Sequence, residues 1–152
     1  MASRGFEFVG MLDGSGGTPV IKDFILSTAA AHHIGDLMVI ESDGDLTQAA
    51  ATATEMTAVC QEEVAAAAIT AGTTKAKCAI LTRNQIWRCS ADAATMSAVE
   101  GYTKTQNIVD CNTLDADVAT SGSMIVYDKS QLDEAGNVLC KVVFADTTFG
   151  NT

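Results

Sequence analysis

The sequence predicts a mainly-β domain with one short helix and an extended N-terminal arm. Three observations carry this. Short β-branched and apolar runs alternate with Asp-Gly and Gly-rich turn segments, the pattern of strands joined by tight turns. Hydrophobic residues make up 47% and charged residues 18%, a globular balance and not a disordered one. A chain of 152 residues holds one domain, or one domain plus an arm, with enough length to bury a core.

The arm is read over residues 1–22 and the β-rich domain over 23–152. Phe6, Phe8, Val9, Met11 and Leu12 form a loose apolar alternation, followed by Asp13-Gly-Ser-Gly-Gly-Thr-Pro19. Glycine has the widest backbone freedom and loses the most entropy on ordering, so this run reads as a hinge. An apolar arm on such a hinge is ordered by a partner or by its own oligomer. Deleting residues 2–17 is therefore expected to leave the melting temperature nearly unchanged.

Val20 to Leu26 reads as a first short strand, and Ser27 to His33 as a connection. Asp36-Leu-Met-Val-Ile-Glu41, the turn Ser42-Asp-Gly-Asp45 and Leu46-Thr-Gln-Ala49 form a hairpin, because Asp-Gly tolerates the left-handed backbone of a tight turn. Residues 55–68 are open between two readings. Their good helix formers favour a helix, whereas Met56, Ala58, Cys60 and Val64 also fit a strand.

A second hairpin is expected at 77–82 and 85–90, with Arg83 and Asn84 as its turn. That register sets Ile80 against Trp87 and Cys78 against Cys89 as hydrogen-bonded pairs, whose wider spacing favours packing over a disulfide. Ser90 can cap a helix running to about Lys104, with Ala93, Met96 and Val99 on one side. A third hairpin joins Met124–Asp128 to Val138–Phe144 through the polar loop around Asp133-Glu-Ala-Gly-Asn137.

Charge narrows the partners. The 19 acidic residues outnumber 9 basic ones, for a net charge of −10. Such a surface repels phosphate backbones and anionic membranes, so neither nucleic acid nor membrane is an expected partner. The first residues lack the apolar stretch of a signal peptide, and Val64 to Ala71 is far shorter than the ~20 residues that span a bilayer. The chain is therefore expected to be made and kept in a cytoplasm-like setting. Cys60, Cys78, Cys89, Cys111 and Cys140 are odd in number and lack a C-x-x-C pair, which favours buried, reduced thiols over a disulfide framework or zinc site.

Catalytic and ligand signals are weak. His32 and His33 are adjacent, point to opposite faces of a strand, and read as an exposed polar connector. The run Gly14, Gly16, Gly17 has no following Lys-Ser/Thr and carries Pro19 where a helix would begin, so it is not a phosphate loop. Glu41, Asp43 and Asp45, and Asp115 and Asp117 near Asp110 and Asn112, read as solvated turn carboxylates because they miss the twelve-residue calcium pattern. No cofactor, metal or catalytic residue is expected, and no enzymatic activity.

The order of elements is more informative. Thr18-Pro-Val-Ile-Lys-Asp-Phe-Ile-Leu26 leads to Ile34-Gly-Asp-Leu-Met-Val-Ile-Glu-Ser-Asp-Gly-Asp-Leu46, then to Ala58-Val-Cys-Gln-Glu-Glu-Val-Ala65 and the segment holding Ile80 and Trp87. Over roughly residues 18–92 this resembles the capsid decoration (cement) proteins of tailed bacteriophages. In that family a Gly-Asp-Leu-Val-Val strand, a Gly turn and a second strand precede Gly-Val-Ala-x-Glu-x-Val-Ala. Here Ala58 replaces the family's glycine, and Arg83-Asn84 replaces a glycine turn.

The resemblance tilts residues 55–68 towards strand. It implies a small β-barrel or β-tulip-like domain, a homotrimer, and attachment to the major capsid protein on the outer surface of the phage head, without catalysis. Capsid and self contacts are expected at Phe6, Phe8, Val9, Met11 and Leu12, and next at Ile21, Phe24 and Ile25. The alternatives are a tail- or fibre-associated β protein, or a small-ligand-binding β-barrel.

Overall fold

The computed structural model describes residues 5–51, 53, 55–96, 107–116, 122–145 and 148. Within them the chain is mainly β, arranged as two principal sheets. Its strands are β1 (Glu7–Met11), β2 (Ile21–Ile25), β3 (Leu37–Ile40), β4 (Leu46–Gln48), β5 (Ala58–Cys60), β6 (Lys75–Ile80), β7 (Gln85–Ser90), β8 (Ile108–Asp110), β9 (Thr113–Leu114), β10 (Met124–Leu132) and β11 (Val138–Phe144). One sheet has the order β1-β7-β11-β10, the other β2-β6-β5-β3-β4, and β8 and β9 form a two-stranded ribbon.

Alternation along each strand divides the side chains between two cores. Leu37, Val59 and Ala79 of the five-stranded sheet, with Leu81 just beyond β6, meet Trp87, Cys89, Cys140 and Val142 of the other in the main core. The opposite face of the five-stranded sheet carries Met38, Ala58, Cys60, Ala76 and Cys78. These pack with Leu26, Leu46 and Ile69 in a second core. That sheet curls around its own core until Leu26 and Leu46, at its two outer strands, meet in a single parallel bridge. The Ser27 N–H donates to Leu46 O at 2.9 Å there. The curl stops short of a closed barrel among the described residues.

The hairpins expected at 36–49 and 124–144 are present as β3–β4 and β10–β11. Gly44 supplies the left-handed turn of the first, at φ +92°. Residues 58–60 are strand, and a 3₁₀ turn follows at Ala66–Ala68.

Three expectations need correction. First, β6 and β7 do not pair with each other. β6 pairs with β2 and β5, and β7 with β1 and β11, so residues 81–84 form a corner between sheets. Cys78 therefore faces Cys60, and Cys89 faces Cys140. The buried Gln85 holds this corner: its Nε2 donates to Ile80 O at 2.9 Å, while its Oε1 accepts from Thr82 N and Trp87 Nε1, each at 3.1 Å.

Second, Ser90 is not a helix cap. It lies in β7, and its hydroxyl donates to Asp133 at 2.7 Å. Residues 91–96 continue in bends, with Ala91 bridged to Leu114; the rest of the expected helix, including Val99, lies outside the described residues.

Third, the N-terminal segment is extended but not free. β1 is a strand of the main sheet, Phe6 is only 2% exposed, and its ring lies 6.1 Å from that of Phe144. Burying an aromatic side chain is worth a few kcal/mol, enough to fix the strand in place. Removing residues 2–17 would therefore remove part of the core.

A buried carboxylate joins three segments below β3. Asp36 accepts from the His33 N–H at 2.9 Å, from Gln48 Nε2 at 2.7 Å and from Asn112 Nδ2 at 3.4 Å. Hydrogen bonds of this kind are what allow a carboxylate to be buried.

Candidate functional site

Leu12 to Val20 form a tongue that leaves one sheet and returns in the other. At its base the Leu12 N–H donates to Asn84 O at 2.7 Å, and the Ile80 N–H donates to Val20 O at 2.9 Å. β1 and β2 thus retrace β7 and β6, with the tongue projecting beyond the β6–β7 corner. Asp13 folds the first turn by accepting from the Ser15 N–H at 2.9 Å and from Asn84 Nδ2 at 3.1 Å. Those donors, Ser15 first, hold its carboxyl below the usual carboxylate range. A Cβ at Gly14 or Gly16 would meet nothing, whereas one at Gly17 would lie 3.3 Å from the Met11 methyl.

An apolar band flanks the tongue. Leu12 is 40% exposed, Val20 67% and Ile21 50%. Ile80, bonded to Val20, also lines a groove of about 290 Å³ with Val39, Ile40, Met56, Thr57 and Leu81. Ile40, on the rim of that groove, is itself exposed.

Edge strands differ in how they are protected. β1 is bulged between Phe8 and Gly10, which turns Val9 outward. β10 has two irregularities and carries Asp128 and Lys129. β4 is three residues long. Among the described residues β2 alone is a five-residue edge in unbroken register, from Ile21 opposite Ala79 to Ile25 opposite Lys75. Because Val20 and Leu26 both bond towards β6, alternation turns the backbone groups of Ile21, Asp23 and Ile25 away from it. Bulges, short strands and charges are how sheets blunt their edges; β2 keeps only the charges, with Asp23 paired to Lys77 at 3.2 Å and Lys22 Nζ 5.3 Å from the Phe24 ring centre.

The expected contact residues thus divide. Val9, Leu12 and Ile21 are exposed, and Met11, Phe24 and Ile25 half-buried. Phe8 is half-buried with its ring edge-on to Trp87 at 5.5 Å. Phe6 is buried in the main core. Val20 and Ile40 were missed: a β-branched residue inside an apolar run gives no sign of which strand end stays uncovered.

The two histidines take different environments. His32 is buried, contrary to the exposed connector expected, with Nδ1 against Ala30 O and Nε2 unpartnered. His33 is exposed and pairs with Glu63 at 2.8 Å, which raises its pKa above the usual value. Asp43 caps the β3–β4 turn by accepting from the Asp45 N–H at 3.0 Å. Partial burial and the neighbouring Asp43 and Glu41 charges push the Asp45 carboxyl up. Asp110 serves its own turn through Asn112 N at 3.0 Å, and Asp117 lies outside the described residues. Among the described residues no three His, Cys, Asp or Glu side chains gather to hold a metal ion. No helix among them is long and apolar enough to cross a membrane.

Comparison with protein-family models, curated proteins and solved structures finds no match.

Proposed function

We propose that this chain is a virion structural protein that decorates the outer surface of an expanded phage head and clamps adjacent major capsid subunits. The observation that carries this reading is the regular edge of β2, unpaired among the described residues, beside the exposed Leu12, Val20 and Ile21. An open edge adds strands from a neighbouring chain through main-chain hydrogen bonds, and apolar side chains beside it add burial. Multiplied over a symmetric lattice, modest contacts of this kind become tight by avidity. The resemblance of residues 18–92 to phage decoration proteins, the mainly-β fold and the net charge of −10 support the same reading. The protein acts as a homotrimer and without catalysis.

The test mixes purified protein with expanded empty heads and measures co-sedimentation and the temperature at which heads disrupt. The wild type is expected to sediment with heads and raise that temperature. The double substitution Val20→Asp/Ile21→Asp is expected to abolish both while keeping the protein's own melting transition. Wild-type protein that ignores heads and instead labels tails in negative-stain images would overturn the reading in favour of a tail-associated module.

A further inference from the structure

Cys60 and Cys78 face each other across β5 and β6, in contact on the second-core side of the sheet. Their place in the ladder matters. The Gln61 N–H donates to Lys77 O at 2.8 Å, and the Leu81 N–H to Thr57 O at 3.0 Å. Alternation then makes Cys60 and Cys78 a non-hydrogen-bonded pair, the class with Cα atoms about 4.5 Å apart and the closer side chains. That spacing lies inside the range a disulfide spans without backbone movement. Cys89 and Cys140 form the other kind of pair, since the Ala91 N–H donates to Val138 O at 2.8 Å two residues on. The Cys140 thiol is turned to Met96 Sδ at 3.5 Å. One of the two cross-strand cysteine pairs is therefore set for cross-linking and the other is not.

We propose that Cys60 and Cys78, both free thiols here, are an oxidative cross-linking site that a hydroperoxide converts to a β5–β6 disulfide. The Cys60 thiolate attacks one peroxide oxygen, the O–O bond breaks, and the departing oxygen takes a proton and leaves as water when the oxidant is hydrogen peroxide. The Cys78 sulfur then displaces the hydroxyl of the Cys60 sulfenic acid: S–S forms, S–O breaks, and a second water carries away the remaining proton. Two thiols lose two electrons and two protons, and one peroxide is reduced to two waters. The product does not depend on which sulfur attacks first, because the two thiols face each other across the same pair and either order gives the same disulfide.

Both sulfurs are fully buried, so attack waits on local opening. β6 lies one strand in from the edge of β2, and edge strands open at lower cost than central ones. The bond would close the segment 61–77, with its 3₁₀ turn, into a covalent loop. Thiol-reducing compartments would keep the pair open and oxidising ones would close it.

The full-length protein is treated with hydrogen peroxide just below its melting temperature, then denatured for thiol counting and digested without reductant for mass mapping. Thiols are expected to fall from five to three per chain, with a linked Cys60–Cys78 peptide that dithiothreitol releases. Cys89→Ser is expected to form the same link, and Cys60→Ser none. A map showing Cys89–Cys140 or any other pair, thiol loss without a link, or five thiols surviving would each overturn the proposal. The wild-type map decides even if a variant fails to fold.

Discussion

Gly5 lies directly on Gly35: a Cβ built on Gly35 would stand 2.7 Å from the Gly5 Cα, and the Phe6 N–H donates to Gly35 O at 2.8 Å. Gly35 also sits at φ +96°, where other residues are strained, and its own N–H bonds Cys60 O at 2.8 Å. One loop thus docks the N-terminal segment against the end of β5.

Gly35→Ala should destabilise by about 2–4 kcal/mol, because left-handed strain and a backbone clash add. Gly44→Ala has nearly the same dihedral, at φ +92°, but open space around the new carbon. It should cost only about 1–2 kcal/mol. Urea denaturation of both variants checks the difference; equal losses would mean that the contact with Gly5 contributes nothing.

Phe6→Ala should cost about 3–5 kcal/mol as a buried large-to-small change. Deleting Gly14 to Gly17 should cost far less, since loop length enters stability only logarithmically. Thermal melts of the two variants separate a sheet strand from a free arm, and a Phe6→Ala protein as stable as wild type would contradict the packing.

Gln85→Leu keeps the volume but strands two N–H donors and one carbonyl at the sheet corner. Each lost partner costs about 1–3 kcal/mol when buried. The Trp87 indole should also lose its hydrogen bond, seen as an altered fluorescence maximum in the folded variant. An unshifted spectrum at wild-type stability would count against Gln85 as the corner's fastening.

The His33–Glu63 pair gives a small pH dependence with a fixed sign. The folded-state pKa of His33 is raised above 6.5, so its contribution is complete below 6.5 and fades as pH rises through the folded value. Glu63 is lowered below 4.5 by the His33 and Ile34 hydrogen bonds, so its contribution is present above 4.5 and fades as pH falls through the folded value. Both side chains are more than half exposed, which keeps the effect slight. An NMR titration should find His33 titrating above 6.5, and His33→Gln should bring Glu63 back towards 4.5.

The sequence revealed those elements whose partner is the next element. Ser42-Asp-Gly-Asp45 and Asp133-Glu-Ala-Gly-Asn137 carry their own turn chemistry, and β3–β4 and β10–β11 follow from it. Arg83-Asn84 looked like another such turn, because alternation marks a strand without naming its neighbour. What distinguishes the corner is a buried Gln85 amide, and a glutamine beside a turn ordinarily reads as solvated. The same blindness hid the role of Phe6. Its apolar alternation with Phe8 was legible, but its partner strand lies far along the chain. For the interaction surface, the exposed tongue flanks were half legible: Leu12 and Ile21 followed from composition, whereas the regularity of β2 emerges only from pairing.

The retraced path of β1 and β2 along β7 and β6 has a consequence for biosynthesis. Glu7 is bonded to Arg88, 81 residues later in the chain. At ribosomal rates of about 5–20 residues per second, the first strand waits roughly 4–16 s for the one it pairs with. Through that interval Phe6 and Phe8 are unsheltered beside the nascent polypeptide. The segment that completes the main sheet's β1 edge is therefore made well before the strand on which it docks.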